Sequence, residues 1–339
     1  MMSDGSGQDG RAGGGQAPAG RPASRHPRSR LLTRSGLLTR SGLLTRSGLA
    51  RAAPLLRSPR YEVFPAASVE QAVVDWVPRE LTVTVTASPA KGLAETLDLT
   101  ERLARHGYHV VPHLSARLVR DDAHLADIVA RLTGCGVDDV FVPAGDADPP
   151  VGRFASALSL LEQLTEMGRP FARVGITGYP ESHPRIGDDV TVQAMWDKRQ
   201  HATYLVSNLC FDPATLRQWI SRVRARGVTL PLFVGLAGPV ERARLLRMAA
   251  KAGVAESARF LAGHTEWFLR LGTPGGYSPE RLLERTGTAL ASPASAVEGL
   301  HLFTFNQVRQ TEEWRRSLLD RFPASPAFPA TGQAGQAGP

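Results

Sequence analysis

The sequence predicts an α/β fold, a (β/α)8 TIM barrel in which eight parallel strands alternate with eight helices. Three observations carry that prediction. Residues 61–322 alternate short apolar, β-branched runs with longer runs of helical period. Eight such units fit into about 260 residues, the count and size of this barrel. No G-x-G-x-x-G follows a strand and no G-x-x-x-x-G-K-[ST] occurs. A doubly wound open sheet, the other α/β arrangement to consider, would need such a phosphate-binding turn.

Each unit has its own justification. Strand Tyr61–Phe64 leads to a helix over 68–77, which Ser68 opens with Gln71 three residues on, a capping-box spacing. Leu81–Thr86 leads to 92–106, and His109–His113 to a helix over 121–134 opened by Asp121. Asp139–Pro143 is followed by 153–167, and Arg173–Thr177 by 191–202. Tyr204–Cys210 precedes a helix over 213–226 that Asp212 and Pro213 start and Gly227 stops. Pro231–Gly235 precedes 240–252, ended by Gly253. The rhythm then breaks over 254–298, where extra helices at Ser257–Leu271 and Pro279–Leu290 flank a Gly275-Gly276 turn. Gly299–Phe305 and a helix over 307–321 close the pattern.

Outside the barrel the composition changes. Forty Lys and Arg against 32 Asp and Glu give the chain a formal charge of +8. Residues 1–60 hold eleven Arg and two Asp, a net +9, so the remaining residues carry −1. The excess charge belongs to an Arg-, Gly- and Ser-rich tail over 1–60, which is expected to be disordered. Within it Leu-Leu-Thr-Arg-Ser-Gly occurs three times, at 31–36, 37–42 and 43–48. A six-residue step never lines up the leucine pairs on one helical face, and each unit carries a helix-weakening Gly. Arg-rich, acid-poor composition resembles a transit peptide or a nucleic-acid-binding arm. The neutral barrel does not share that character, and a nucleic-acid partner is not expected. Residues 323–339, rich in Pro, Ala and Gly, read as a second disordered tail. No run approaches the roughly 18 apolar residues of a membrane span, so no membrane association is expected. Two cysteines, Cys135 and Cys210, are too few for a disulfide scaffold, which makes a reducing cytoplasm the default compartment.

In a barrel, chemistry sits at the carboxyl ends of the strands. Those ends carry Glu62, Thr86, His113, Gly145 with Asp146, Tyr179 with Glu181 and His183, Asn208 with Asp212, and Thr304 with Asn306. Such a ring of polar groups points to a site for a polar, extended ligand, although a solvent-facing rim would also be polar. Glu62 lies inside the β-run Tyr61-Glu62-Val63-Phe64. There a carboxyl is either turned to water or partly buried with a raised pKa, as a general acid needs. Asp146 follows Gly145, which lets backbone approach a ligand, and is either a ligand acceptor or a turn residue. His106, His109 and His113 invite a metal reading, but no Cys or carboxylate stands at ligand spacing, and no metal is expected. Cys210 reads as a buried structural thiol. Absence of G-x-S-x-G, H-E-x-x-H and C-x-x-C leaves serine hydrolase, zincin and thioredoxin-like readings without support.

Several of these segments, in order along the chain, resemble the methylenetetrahydrofolate reductases. Tyr61-Glu62-Val63-Phe64-Pro65 resembles their glutamate–aromatic–proline signature, and Val110-Val111-Pro112-His113-Leu114 their Pro-His-Leu. Gly178-Tyr179-Pro180-Glu181-Ser182-His183-Pro184 matches their Gly-Tyr-Pro-Glu-x-His-Pro and is the most specific run. Val206–Asp212 resembles their Thr-Gln-x-x-Phe-Asp segment and Gly299–Asn306 their final strand. The resemblance implies a barrel that binds FAD and passes hydride from NAD(P)H to 5,10-methylenetetrahydrofolate, a folate substrate, in support of methionine biosynthesis. It implies Glu62 as general acid and Asp146 as the group between flavin and folate. Thr86, His113, Gly145, Tyr179 and His183 would line the flavin, Lys198 would meet its phosphates, and Asn208 would bind folate. Homo-oligomerisation stays open. The chain departs from the pattern where Ala144 replaces an arginine and Asn208 a glutamine, and the helix bearing Lys198 is shortened. A folate-dependent methyltransferase or demethylase without flavin redox is therefore the alternative.

Overall fold

The computed structural model describes residues 47–87, 91–181, 188–239 and 278–323. Eight strands run through them: β1 (Arg60–Val63), β2 (Thr82–Val85), β3 (Val110–Pro112), β4 (Asp139–Phe141), β5 (Arg173–Gly178), β6 (Tyr204–Ser207), β7 (Leu232–Ala237) and β8 (Val297–Phe303). They form one sheet in the order β3-β2-β1-β8-β7-β6-β5-β4, and every pairing is parallel. The two ends of that order meet. His113 bridges Phe141 in parallel, Leu114 N–H donates to Phe141 O at 2.8 Å, and Ala116 N–H to Pro143 O at 3.0 Å. The sheet therefore closes nearly completely into the barrel that the strand–helix alternation predicts.

Helix α1, described over 47–52, precedes the barrel. Between strands lie α2 (Val69–Trp76), α3 (Gly92–Arg105), α4 (Asp122–Gly134), α5 (Ala157–Glu166), α6 (Asp188–Lys198) and α7 (Pro213–Ala225). Helices α8 (Pro279–Leu290) and α9 (Val308–Arg321) flank β8. Asp121 and Asp212 cap as expected, accepting from His124 N–H at 2.8 Å and Thr215 N–H at 2.7 Å. Ser68 does not: it makes no side-chain cap bond, and Gln71 instead donates to Asp75 at 2.6 Å along the exposed helix face. The helices expected over 240–252 and 257–271 lie outside the described residues, as do 1–46, with most of the leucine repeat, and 324–339.

The tail boundary expected at residue 60 falls inside folded structure. Residues 47–52 are helical, a 3-10 turn follows over Ala53–Leu56, and Leu49, Ala52, Ala53 and Leu56 are buried. Their spacing is i, i+3, i+4, i+7, one apolar helical stripe that the surrounding Arg and Pro obscure in the composition. Arg315 of α9 secures the segment by donating to Leu56 O at 3.0 Å.

Inside the barrel a small apolar cluster of Val111, Phe141, Tyr204, Val206 and Phe233 fills the middle. At the amino ends of the strands a buried ion pair closes the bottom. Arg60 Nη2 donates to Asp139 Oδ2 at 3.0 Å, and Tyr204 hydroxyl to Asp139 Oδ1 at 2.8 Å. The Arg60 guanidinium lies over the Tyr204 and Phe233 rings, 4.2 and 4.0 Å from their centroids. Room for that ring depends on Gly175, where a Cβ would come within 2.3 Å of Tyr204. With the bottom plugged, polar groups that face inward at the other end are open only toward the strand exits.

Candidate active site

Strand alternation on β1 sets the central residue of that end. Tyr61 and Val63 turn to the helices, and Tyr61 hydroxyl donates to the buried Glu312 of α9 at 2.6 Å. Glu62 between them turns to the interior. His301 of β8 donates from Nε2 to Glu62 Oε2 at 2.9 Å, and Nε2 of His113, at the end of β3, lies 3.8 Å from the same oxygen. The two imidazoles stack with centroids 6.4 Å apart, Phe141 packs on His113 at 4.7 Å, and Phe303 on His301 at 4.9 Å. Side-chain exposure is 17% for Glu62, 6% for His113 and 2% for His301.

Electrostatics then correct one expectation. Burial pushes the Glu62 carboxyl up, but the His301 hydrogen bond and the charges of His113 and His301 outweigh it, and its pKa falls below the usual carboxylate range. Glu62 rests as a carboxylate and is not the pre-protonated acid expected from burial alone. His113 is driven down to about 4, because burial penalises its cation more than Glu62 attracts it. At neutral pH the hydrogen bond from His301 is thus the contact that holds Glu62.

The loop after β8 fixes the backbone around Glu62. Thr304 hydroxyl donates to Glu62 O at 2.6 Å. Asn306 Nδ2 donates to Phe64 O at 2.9 Å, and Phe64 N–H donates to Asn306 Oδ1 at 3.0 Å. The side-chain amide thereby continues the β1–β8 ladder past its last backbone pair, Glu62 with Phe303. This requires Phe305 and Asn306 at φ of 50° and 56°, a left-handed conformation that Asn tolerates and Phe rarely adopts. Backbone strain of this kind persists where surrounding structure over-determines it.

With this geometry in place, comparison with known proteins is decisive for the family. The family model for methylenetetrahydrofolate reductase matches residues 68–260, more than half of the chain. The chain belongs to the methylenetetrahydrofolate reductase family. Methylenetetrahydrofolate reductase 2 of Saccharomyces cerevisiae (strain ATCC 204508 / S288c) is 30% identical over 115 residues, which cover 32% of this chain and 19% of the yeast protein. The chain thus matches about a fifth of that curated relative. Among solved structures, dihydropteroate synthase from Thermus thermophilus aligns with a TM-score of 0.40 at 14% identity, covering 78% of this chain and 94% of that one. The dihydropteroate synthase from Vibrio fischeri ES114 aligns at 0.39 and 12% identity, covering 80% and 96%.

Within this reductase-family barrel the expected site residues fall into groups. Glu62 and His113 meet, as described. Asp146 is exposed, and its carboxylate is close enough to Tyr179 to add to the rise that burial causes in that phenol, against a smaller lowering from Thr177. Gly145 sits at φ +85°, and a Cβ there would lie 2.9 Å from Ser115 Cβ. Thr86 is half-buried beyond β2, its N–H donating to Val63 O at 2.9 Å. Asn208 accepts from Leu209 N–H at 2.8 Å through its own side-chain oxygen. Lys198 ends α6 buried, and burial alone pulls its ammonium down to about 8. No side-chain hydrogen bond among the described residues joins Thr86, Asn208 or Lys198 to Glu62. His183 lies outside the described residues. Glu181 is a loop anchor, accepting from Phe211 N–H at 2.7 Å. Burial, reinforced by Glu181, raises the Cys210 thiol well above its usual range, which suits an inert structural role.

His301 is the residue that sequence reasoning passed over. Its signal was present: Leu300 and Leu302 are fully buried and alternate with Gly299, His301 and Phe303, so His301 shares the inward face. The other histidines went elsewhere. His106 pairs with Glu70 at 3.0 Å and His109 with Asp138 at 3.3 Å, away from Glu62.

Proposed function

We propose that the chain is an oxidoreductase of one-carbon metabolism, reducing 5,10-methylenetetrahydrofolate to 5-methyltetrahydrofolate with NAD(P)H through FAD and supplying methionine biosynthesis. The observation that carries this reading is the buried Glu62–His301 pair at the strand exits of a barrel in this family. The reaction needs one hydride at the methylene carbon and one proton at the amine nitrogen freed when the five-membered ring opens. Glu62 is the group to face that nitrogen, passing on a proton that it takes up from solvent, and His301 Nε2–H, 2.9 Å away, holds the carboxyl in position for it. The carboxylate also favours the cationic iminium that ring opening creates.

The residues present fit FAD. His113 Nε2 is buried without a hydrogen-bond partner, and the buried Lys198 ammonium has no acidic partner among the described residues, as an anionic, ring-bearing cofactor requires. His113, Gly145, Tyr179 and Lys198 would hold it, with Thr86 at the same rim, and the family resemblance adds His183. Bound flavin supplies the hydride chemistry. Asp146, exposed near Tyr179, orients the pterin, and Asn208 contacts the folate beyond it.

One observation favours a second reading, folate-dependent methyl transfer on the same barrel without flavin redox. Ala144, half-buried at the β4 exit, stands where the family pattern has an arginine, so this position brings no cation to the cofactor. Spectra of the purified full chain separate the two. A bound oxidised flavin that NAD(P)H bleaches and methylenetetrahydrofolate re-oxidises supports the reductase; folate turnover by a colourless protein without NAD(P)H consumption supports methyl transfer. Glu62→Gln should lower reductase turnover by about 10²–10⁴-fold. Full activity in that variant removes Glu62 from the chemistry.

A further inference from the structure

We infer that Arg117 binds a phosphate group of a dinucleotide, FAD or NAD(P)H, at the seam where the β3 and β4 exits meet. The inference deepens the reductase reading and rests on it. Ala144 leaves its own position without charge, and Arg117 is its neighbour across the seam: Arg117 N–H donates to Ala144 O at 2.9 Å. A cation is thus rooted one strand away from the place where the family pattern has one. Arg117 stands just beyond His113, and the Asp148 it approaches stands just beyond Asp146, so the seam belongs to the same rim as those two residues.

Three features suit Arg117 to this task. Its backbone is fixed from both sides, because Arg117 O also accepts from Val151 N–H at 2.9 Å, so the root of the side chain is ordered before a ligand arrives. Its guanidinium is also unsatisfied. Nε is buried without a hydrogen-bond partner, and a buried N–H without an acceptor is costly until a ligand supplies one. The carboxylate paired with it is that of Asp148, where Nη2 lies 3.9 Å from Oδ1, too long for a hydrogen bond, and the Asp148 side chain is 69% exposed. So loose a pair contributes little, and a phosphate can displace it. Arg153, on the same β4–α5 connection, is by contrast already engaged with Asp122 and Gln163. Lastly, the Arg117 side chain is 28% exposed, buried enough to strengthen a charge contact and open enough to receive a ligand. A guanidinium is a planar fork that matches two phosphate oxygens at once.

Equilibrium binding to the full chain measures this without turnover. FAD and NADPH are titrated calorimetrically into the parent, Arg117→Met and Arg117→Lys, alongside riboflavin and reduced nicotinamide riboside as their phosphate-free counterparts. Arg117→Met keeps length and loses charge, and should weaken binding about 10–100-fold for the dinucleotide whose phosphate sits here. Loss confined to FAD names the flavin as the source of that phosphate, and loss confined to NADPH names the nicotinamide. Arg117→Lys should recover part of the affinity, as a point charge without the fork. Asp148→Asn frees the guanidinium and should tighten the same dinucleotide by up to about 5-fold, a gain that damage to the fold does not produce. The phosphate-free counterparts should bind Arg117→Met as they bind the parent. Equal affinity of parent and Arg117→Met for both dinucleotides, or an equal loss for the phosphate-free counterparts, overturns the inference and leaves the reductase reading standing. A parent that binds neither dinucleotide overturns both. Binding that depends on Arg117, without reduction of methylenetetrahydrofolate, keeps the inference and removes that reading.

Discussion

Lys198→Met tests how the barrel treats a buried cation. Lys198 is 8% exposed, and burial alone shifts its ammonium from 10.5 to about 8. At 1.36 kcal/mol per unit this is about 3 kcal/mol by which the folded state disfavours the charged form. The sign follows from proton counting. Below pH 8 both folded and unfolded chains carry the proton, and the folded chain bears the full penalty. Between 8 and 10.5 the unfolded chain holds more protons, so stability rises with pH, and above 10.5 the penalty is gone. Methionine has similar length and no charge. Lys198→Met should therefore be more stable than the parent by about 3 kcal/mol at pH 7, with the advantage vanishing above about pH 10.5. Urea unfolding of both proteins across that range measures it. Inorganic pyrophosphate should raise the stability of the parent at pH 7 and leave the variant unchanged, since only the parent offers an ammonium to an anion. A variant less stable at pH 7, or an advantage independent of pH, refutes the reasoning, because it means the ammonium is already paired or hydrated.

Other perturbations test the frame. Asn306→Ala removes both hydrogen bonds to Phe64 and should cost about 2 kcal/mol in thermal or urea unfolding; an unchanged midpoint would show that the side-chain ladder is idle. Asn306→Gly, which suits the φ of 56°, should recover only the backbone part. Gly145→Ala should destabilise by about 1–2 kcal/mol from its left-handed φ, and adding Ser115→Gly should relieve the close contact alone; full recovery in the double variant contradicts the conformational argument. Asp139→Asn leaves Arg60 buried without a counter-charge and should cost about 3–5 kcal/mol, so a loss under about 1 kcal/mol would show that water reaches the barrel bottom.

Much of this molecule is legible in the chain because the signals are local. Strand and helix periods, Asp121 and Asp212 as caps, and Gly227 as a stop depend on neighbours within a turn, and the two helices they bound lie where the sequence places them. Local chemistry misleads where a competing partner lies nearby, as when Gln71 turns to Asp75 instead of Ser68, or where composition hides period, as over 47–56.

The sequence by itself determined the barrel, its strand order in outline and the face on which Glu62 stands. Only the tertiary structure decided what Glu62 meets. Closure brings β8 against β1, so His301, remote in sequence, becomes the hydrogen-bond donor that holds the carboxylate ionised. It likewise seats Asp139 on Arg60, and Lys198 in a buried place with no acidic partner among the described residues. The physical reason is that a residue's period fixes which way its side chain points. Its partners and its charge state follow from inter-strand register and burial, which no short stretch of chain contains.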